Sequence, residues 1–381
     1  MKIPFVDLHA QYLSIKDEID EAIAKVIAES AYIRGRQVEA FEQAWAKTLG
    51  VQRCVSCANG TDAIYIALRA LGLRHGDEVI TSAHSWISTS ETITQAGGRV
   101  VFCDTDEDTF TIDPLDIERK ITPTTVGIIP VHLYGQPADM EVIMAIAKKH
   151  NLWVIEDCAQ AHLAKYHGEL VGTFGNVATF SFYPGKNLGA YGDAGCVVTN
   201  DDRLADWMAT FARHGGKGDH VMEGINSRMD GLQAAILNAK LPYLPAWTAA
   251  RRDVAARYDA LLGDVGDVIT PKAVRGRDHV YHLYVVRTEN RDALRKHLSE
   301  AGISTVLNYP KALPFYPAYS YLGHVPKDFP VSCFNQSRIL SLPIYPEMGT
   351  EMIDYVVKCI DGFFSYEPAS LYQQTETVRA N

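Results

Sequence analysis

The sequence predicts an α/β protein: a mainly parallel sheet covered by helices, followed by a smaller C-terminal α+β unit. Three observations carry this. Short β-rich runs alternate with helix-period runs along most of the chain, as in parallel sheets with crossover helices. A long helical pattern over Leu244–Leu262 then reads as a connector, with strand and helix patterns resuming beyond it. Finally, 381 residues allow two domains and a large buried core. The division expected is residues 1–245, with the N-terminal segment, and 246–381.

Taken in order, Ile15, Ile19, Ile23, Val26 and Ile27 recur at helical spacing and predict an early amphipathic helix. Cys54–Cys57 reads as a short strand leading into Ala58-Asn59-Gly60-Thr61. Further strands are predicted at Glu78–Thr81, Arg99–Cys103, Val126–Val131, Leu152–Ile155, Val177–Ser181 and Cys196–Thr199, with helix patterns after Thr61, Pro137, Asp201 and Met229. Pro245 punctuates the connector. Beyond it come a strand over His279–Arg287 and helices over Arg291–Ala301 and Glu351–Phe363, and Ser370–Asn381 reads as a frayed polar tail.

A formal charge of −10 argues against a partner with a phosphate backbone, so no nucleic acid is expected. No apolar run is long enough to span a membrane, and Met1-Lys2-Ile3-Pro4 does not open a signal peptide. Seven cysteines without a paired framework fit reduced thiols, and a cytoplasmic location is the expectation. The CxxC at Cys54–Cys57 has no second metal-binding pair at zinc spacing and reads as buried structural thiols. Thirteen histidines show no ligand cluster, so no metal is expected.

The most informative stretch is Phe180-Ser181-Phe182-Tyr183-Pro184-Gly185-Lys186-Asn187-Leu188-Gly189-Ala190-Tyr191-Gly192-Asp193-Ala194-Gly195. It sets one lysine between an apolar strand and a glycine-rich turn. Upstream, Val154-Ile155-Glu156-Asp157-Cys158-Ala159-Gln160 ends another apolar strand in an acid. A loop lysine with a strand-end aspartate suits pyridoxal phosphate: the lysine bonds the cofactor's aldehyde, and the carboxylate keeps the pyridine nitrogen protonated. Each residue alone has a plainer reading, Lys186 as a solvated loop lysine and Asp157 as a helix cap; the combination favours the cofactor. Gly185-Lys186 is not a Walker loop, since Phe180 replaces the first glycine and Asn187 the Ser/Thr. Asn59-Gly60-Thr61-Asp62 adds a helix start whose free N–H groups suit a phosphate, with an ordinary Thr cap as the alternative.

The run SFYPGKNLGAYGDAG, with EDCAQAH before it and GINSRMDGLQAAIL after it, closely resembles the sugar aminotransferases of the DegT/DnrJ/EryC1/StrS family. The likeness extends from FVDLHAQY to LSLPIYPEM, nearly the whole chain. Some relatives carry histidine at the lysine position and dehydrate their substrates; Lys186 favours transamination. The resemblance implies the fold-type I aminotransferase architecture, a homodimer with its active site at the subunit interface, pyridoxal phosphate as cofactor, and Lys186 as its anchor and acid/base. It implies cofactor contacts from Gly60, Thr61, Trp86, Asp157, Gln160 and Ser181, with Asn226 reaching across the interface. Trp86 would cover the pyridine face, while His162 reads as core packing or catalysis. Tyr32, Arg228, Asn308 and Tyr309 match substrate-side segments. Asn308 departs from many members, which have histidine before Tyr-Pro; asparagine cannot titrate.

The implied reaction moves an amino group from an amino acid, by analogy L-glutamate, to a nucleotide-linked keto sugar, UDP- or dTDP-linked, in amino-sugar or surface-polysaccharide biosynthesis. The motifs favour a 3-keto sugar. A 4-keto sugar competes, as do a dehydratase or lyase of the same family and a regulatory protein without turnover.

Overall fold

The structure is a computed structural model that describes residues 1–216 and 218–365; Ser370–Asn381 lies outside the described residues. Twelve strands are described: β1 (Arg53–Cys57), β2 (Glu78–Ser82), β3 (Arg99–Cys103), β4 (Thr125–Ile129), β5 (Trp153–Asp157), β6 (Lys165–Tyr166), β7 (Glu169–Leu170), β8 (Val177–Ser181), β9 (Gly195–Thr199), β10 (Arg277–Asp278), β11 (Tyr284–Arg287) and β12 (Ile339–Leu342). Seven of them form one sheet in the order β1-β9-β8-β5-β4-β2-β3. Every neighbouring pair is parallel except the two that β9 makes, with β1 and with β8. This is the mainly parallel α/β sheet that the sequence predicts.

Successive strand side chains point to opposite faces, so both faces bury apolar side chains. Val154 and Ile155 enter different core clusters, as do Val198 and Val197. The same alternation sends Glu156 and Asp157 to opposite sides of β5. The direction of the strands then decides where the chemistry gathers. β5, β8 and β1 all end at one edge of the sheet, which brings Asp157, Ser181 and the helix starting at Gly60 together. Gly195 at the start of β9 pairs with both Ser181 and Cys57. The carboxyl edge of such a sheet is where α/β proteins bind ligands.

A third cluster surrounds β11 and β12 and the helices Leu244–Leu262, Arg291–Glu300 and Thr350–Ser365. Ile3 joins it, donating its N–H to Gly302 at 2.9 Å.

Several elements depart from the sequence reading. The early helical pattern is two helices, Leu8–Ser14 and Lys16–Glu29, broken at Ile15. Ile15, Ile19 and Val26 are buried, but Ile27 is 53 % exposed because it falls off their face. The strand expected over His279–Arg287 is confined to β11, since Tyr281 has φ 44° and cannot extend the ladder. Pro245 lies in the first turn of its helix, where a missing N–H costs nothing, and does not interrupt it. Helices Arg36–Leu49 and Ser88–Gln95 are additions. Cys54 and Cys57 are buried free thiols, Cys57 donating to the Asn59 carbonyl at 3.2 Å. No helix among the described residues is long and apolar enough to cross a membrane.

Candidate active site

Lys186 sits on the turn that leaves β8, its N–H bonded to the Tyr183 carbonyl at 2.8 Å. The turn closes so tightly that a Cβ at Gly189 would stand 2.2 Å from the Pro184 carbonyl oxygen. Burial pushes the Lys186 ammonium down to about 8, with the Asp157 carboxylate opposing the shift. An amine so placed reaches its nucleophilic form far more readily than a surface lysine.

Asp157, 4 % exposed, is held from two sides. Thr89 Oγ1 donates to its Oδ2 at 2.8 Å, and the Ala159 N–H donates to Oδ1 at 3.1 Å. Two donors leave acceptor capacity for a third, such as a protonated ring nitrogen. On the opposite face, Glu156 accepts the N–H groups of Gly172, Phe174 and Gly175, each at 2.8 Å. His132 Nδ1 accepts the Ala138 N–H at 3.0 Å, so its Nε2 carries the proton and donates to Glu156 at 3.1 Å. His132, Glu156 and Cys158 lie close enough together for an ion. Yet the histidine has no free lone pair and the carboxylate is already fully engaged, so His132 and Glu156 brace the strand end behind Asp157.

At the other end of the site, the helix Gly60–Ala70 is capped by Asn59, whose side-chain oxygen accepts the Asp62 N–H at 2.8 Å. The N–H groups of Gly60 and Thr61 have no acceptor among the described residues. Ser181 presses directly on this turn: a Cβ at Gly60 would come within 2.6 Å of the Ser181 Cβ. Thr61 and Ser88 hydroxyls meet at 2.7 Å. Asp62 faces away and accepts the Ser227 hydroxyl at 2.6 Å. Free donors at a helix start, with hydroxyls around them, make an anion cradle.

Gln160 joins two segments far apart in sequence. Its Oε1 accepts the Tyr134 N–H at 2.7 Å, and its Nε2 donates to the Tyr309 hydroxyl at 3.0 Å. One amide hydrogen remains to be donated. The Tyr309 N–H in turn donates to Nε2 of buried His84 at 3.1 Å. Burial holds that imidazole down to about 4, so it stays neutral and can accept. Trp86, 57 % exposed, lies 5.5 Å from the Tyr309 ring. Asn308 is anchored by Ser341, whose hydroxyl donates to its Oδ1 at 2.9 Å, and the Tyr134 hydroxyl donates to the Asn308 carbonyl.

Tyr32, Asn226 and Arg228 sit apart. The Gly231 N–H donates to the Tyr32 carbonyl at 2.7 Å and Ile33 bridges Asp230, which places Tyr32 beside the Asn226–Asp230 segment. Among the described residues, none of the three bonds to Lys186, Asp157 or Ser181 within the protomer. Asn226 is exposed.

A sequence profile of the DegT/DnrJ/EryC1/StrS aminotransferase family matches residues 13–361. The chain belongs to this family. It is 46 % identical over 370 residues to a "pleiotropic regulatory protein" of Geobacillus stearothermophilus, spanning 96 % of this chain and all of that protein. It is 41 % identical over 360 residues to a UDP-N-acetyl-3-dehydro-α-D-glucosamine 3-aminotransferase of Acidithiobacillus ferrooxidans, covering 94 % of this chain and 97 % of the relative. Among crystal structures, Streptomyces venezuelae DesV in complex with a ketimine intermediate superposes with a TM-score of 0.93 at 38 % identity, over 96 % of this chain and all of that one.

As a member of the family, the protein is a pyridoxal-phosphate-dependent sugar aminotransferase. The residues present fit that cofactor: a half-buried lysine of lowered basicity, a carboxylate with spare acceptor capacity, and an anion cradle, all at one sheet edge. Thr89, His84 and Tyr134 complete the constellation and escape the sequence reading, because their partners lie far away in sequence. One signal was present for Thr89: Ser88–Gln95 reads Ser-Thr-Ser-Glu-Thr-Ile-Thr-Gln, unusually rich in hydroxyls for a helix with five buried residues. His162 is packing. Both ring nitrogens lack partners among the described residues, and it is enclosed by Trp45, Phe180 and Phe182 at 5.5–5.8 Å.

Proposed function

We propose that this aminotransferase carries an amino group from L-glutamate to the 3-keto position of a UDP- or dTDP-linked sugar, as a cytoplasmic homodimer serving amino-sugar or surface-polysaccharide biosynthesis. The observation that carries this reading is the full-length match to a relative named for amination of a UDP-linked 3-dehydro sugar.

Lys186 would hold the cofactor covalently through Nζ. Asp157 would face the ring nitrogen, Trp86 the ring plane, and the free Gln160 amide hydrogen the phenolic oxygen. Gly60, Thr61 and Ser181 would hold the phosphate, with Asn226 of a neighbouring copy. When bound, pyridoxal phosphate supplies an electron sink and carries the amino group between the two half-reactions. With the cofactor bound, Lys186 Nζ would take the proton from the donor's α-carbon and pass it on to the cofactor, and in the second half-reaction it would move a proton from the cofactor to C3 of the sugar. A lysine held to about 8 suits both directions, because neither its free base nor its ammonium is far from reach near neutrality. Tyr32, Arg228, Asn308 and Tyr309 would line the sugar-nucleotide side, where a guanidinium suits a diphosphate.

The test is incubation with L-glutamate and a panel of UDP-, dTDP- and GDP-linked 3-keto and 4-keto sugars, with mass detection of the amine. Amination confined to 4-keto sugars would overturn the position assigned. A second reading, regulation without turnover, draws on the name of the Geobacillus relative. It requires that no keto sugar in the panel be aminated, and it leaves the Lys186–Asp157 arrangement without a use. Loss of a hydroxyl from the sugar without amine formation would instead mark a dehydratase or lyase.

A further inference from the structure

Lys240 plays no part in the chemistry above, yet its side chain, only 1 % exposed, ends on the loop that carries Lys186. It closes the helix Gly231–Lys240, and its Nζ donates to the Gly189 carbonyl at 2.8 Å while standing 4.4 Å over the Tyr191 ring. Seven residues earlier, on the same face of that helix, Gln233 accepts the Tyr191 N–H through Oε1 at 2.8 Å. The same side chain packs so close to Gly192 that a Cβ there would meet its Nε2 at 2.9 Å.

The loop needs this. Its tight closure at Pro184 and Gly189 leaves the Gly189 carbonyl in a dry interior, where an unpaired carbonyl is costly. A lysine is an expensive way to satisfy one acceptor: burial pushes the Lys240 ammonium down to about 8, with the Glu347 carboxylate opposing. A neutral donor would serve a purely local need at lower cost. What the charge adds is a stronger bond to the carbonyl and attraction to the Tyr191 ring, both of which resist displacement of the loop.

We propose that Lys240 is a positioning residue for the aminotransferase reaction. Together with Gln233 it pins the far half of the Pro184–Gly192 loop to one helix, so that Lys186 Nζ returns to the same place after each displacement. The inference rests on Lys186 being the cofactor lysine. Reduction of the holoenzyme with borohydride and mapping of the labelled peptide tests that reading separately, since a label elsewhere in the wild-type protein defeats it before any Lys240 variant is made.

Three variants test the proposal itself. Lys240→Met removes donor and charge at similar length, Lys240→Gln keeps a neutral donor, and Lys240→Arg keeps both. In Lys240→Met, kcat should fall about tenfold to a hundredfold, the scale of a small misplacement of a reacting group, with KM for the keto sugar little changed. The fraction of cofactor trapped on Lys186 by borohydride under sub-saturating pyridoxal phosphate should fall in parallel, with Lys240→Gln intermediate and Lys240→Arg close to wild type. A folded Lys240→Met enzyme with wild-type kcat and trapping would overturn the assignment. If that variant does not fold, Lys240→Gln decides: wild-type trapping and kcat there reduce Lys240 to a structural donor, and the proposal fails.

Discussion

Thr89 donates its hydroxyl hydrogen to Asp157 across 68 residues of sequence, at 2.8 Å between buried side chains. The bond joins the start of the helix Ser88–Gln95, which follows β2, to the end of β5. Opposite it, the Ala159 N–H takes the other carboxylate oxygen. Two donors, one on each oxygen, fix the plane of the carboxylate, so Asp157 is presented in one orientation at the sheet edge.

Removing the whole charge should therefore cost far more than removing one donor. Asp157→Asn should fold and retain some cofactor while kcat falls by about 10²–10³-fold, the scale seen when an electrostatic stabiliser is lost. Thr89→Val should cost roughly 1.5–3 kcal/mol in transition-state stabilisation, the worth of a hydrogen bond to a charged group, and Thr89→Ser should recover most of it. Steady-state kinetics on cofactor-loaded protein checks all three. Near-normal kcat in Asp157→Asn would remove the electrostatic role.

The contact between Gly60 and Ser181 predicts a different failure. A methyl group at Gly60 would sit 2.6 Å from the Ser181 Cβ, so the helix start and the strand end must separate. Gly60→Ala should weaken pyridoxal phosphate binding by about tenfold or more, since displaced N–H donors no longer converge on one anion. The control is Gly362→Ala, where an added Cβ meets nothing within 4 Å. Equilibrium titration with fluorescence or absorbance measures both; equal affinity in the two variants would disconnect the cradle from the cofactor.

These cases show what the chain discloses when read in one dimension. Asp157 and Ser181 stand at the ends of apolar strands, Gly60 at the start of a helix and Lys186 on the turn that follows β8, and a mainly parallel sheet converts those sequence positions into one spatial edge. Alternation made the sheet legible, but not the strand order that makes these positions neighbours. The partners that orient them were not legible either. Thr89 reaches Asp157, Tyr134 reaches Gln160, and Tyr309 reaches both Gln160 and His84 across whole strands and helices of intervening sequence, and no local periodicity encodes such pairings. The same limit applies to His279–Leu283, whose β-rich composition promises a strand that a single residue at φ 44° ends.

Lys186 carries a pH signature. Burial favours its neutral form and lowers its pKa from the usual lysine range to about 8 in the cofactor-free protein. Below that pH the ammonium cannot attack a carbonyl; above it the free amine can. Capture of pyridoxal phosphate by the apoprotein should thus accelerate as pH rises through about 8 and level off beyond it. An ordinary lysine would keep accelerating towards about 10. Stopped-flow absorbance across pH 6–10 (about four units, spanning both ranges) separates the two, and Lys186→Ala should show no capture and no turnover. Continued acceleration to the upper limit would mean that Lys186 is not the capturing amine.

Asn226 supplies the test of the dimer. It is exposed and bonds to none of the cofactor-side residues of its own protomer among those described, which suits a residue that serves a neighbouring copy. Each site would then combine Lys186 of one subunit with Asn226 of the other. A C2 pair makes two such sites by symmetry. Lys186→Ala disables the site in its own subunit, whereas Asn226→Asp places a negative charge beside the cofactor phosphate in its partner's site. In a mixed dimer both lesions fall in one site and the other is wholly wild type. Mixing the two inactive proteins should therefore restore activity, up to about one quarter of wild type when random exchange makes half the dimers mixed. If Asn226 instead served its own subunit, each site of the mixed dimer would carry one lesion and none would work. Native mass spectrometry establishes that exchange has occurred and each variant is assayed alone; confirmed heterodimers without recovered activity would end the shared-site assignment.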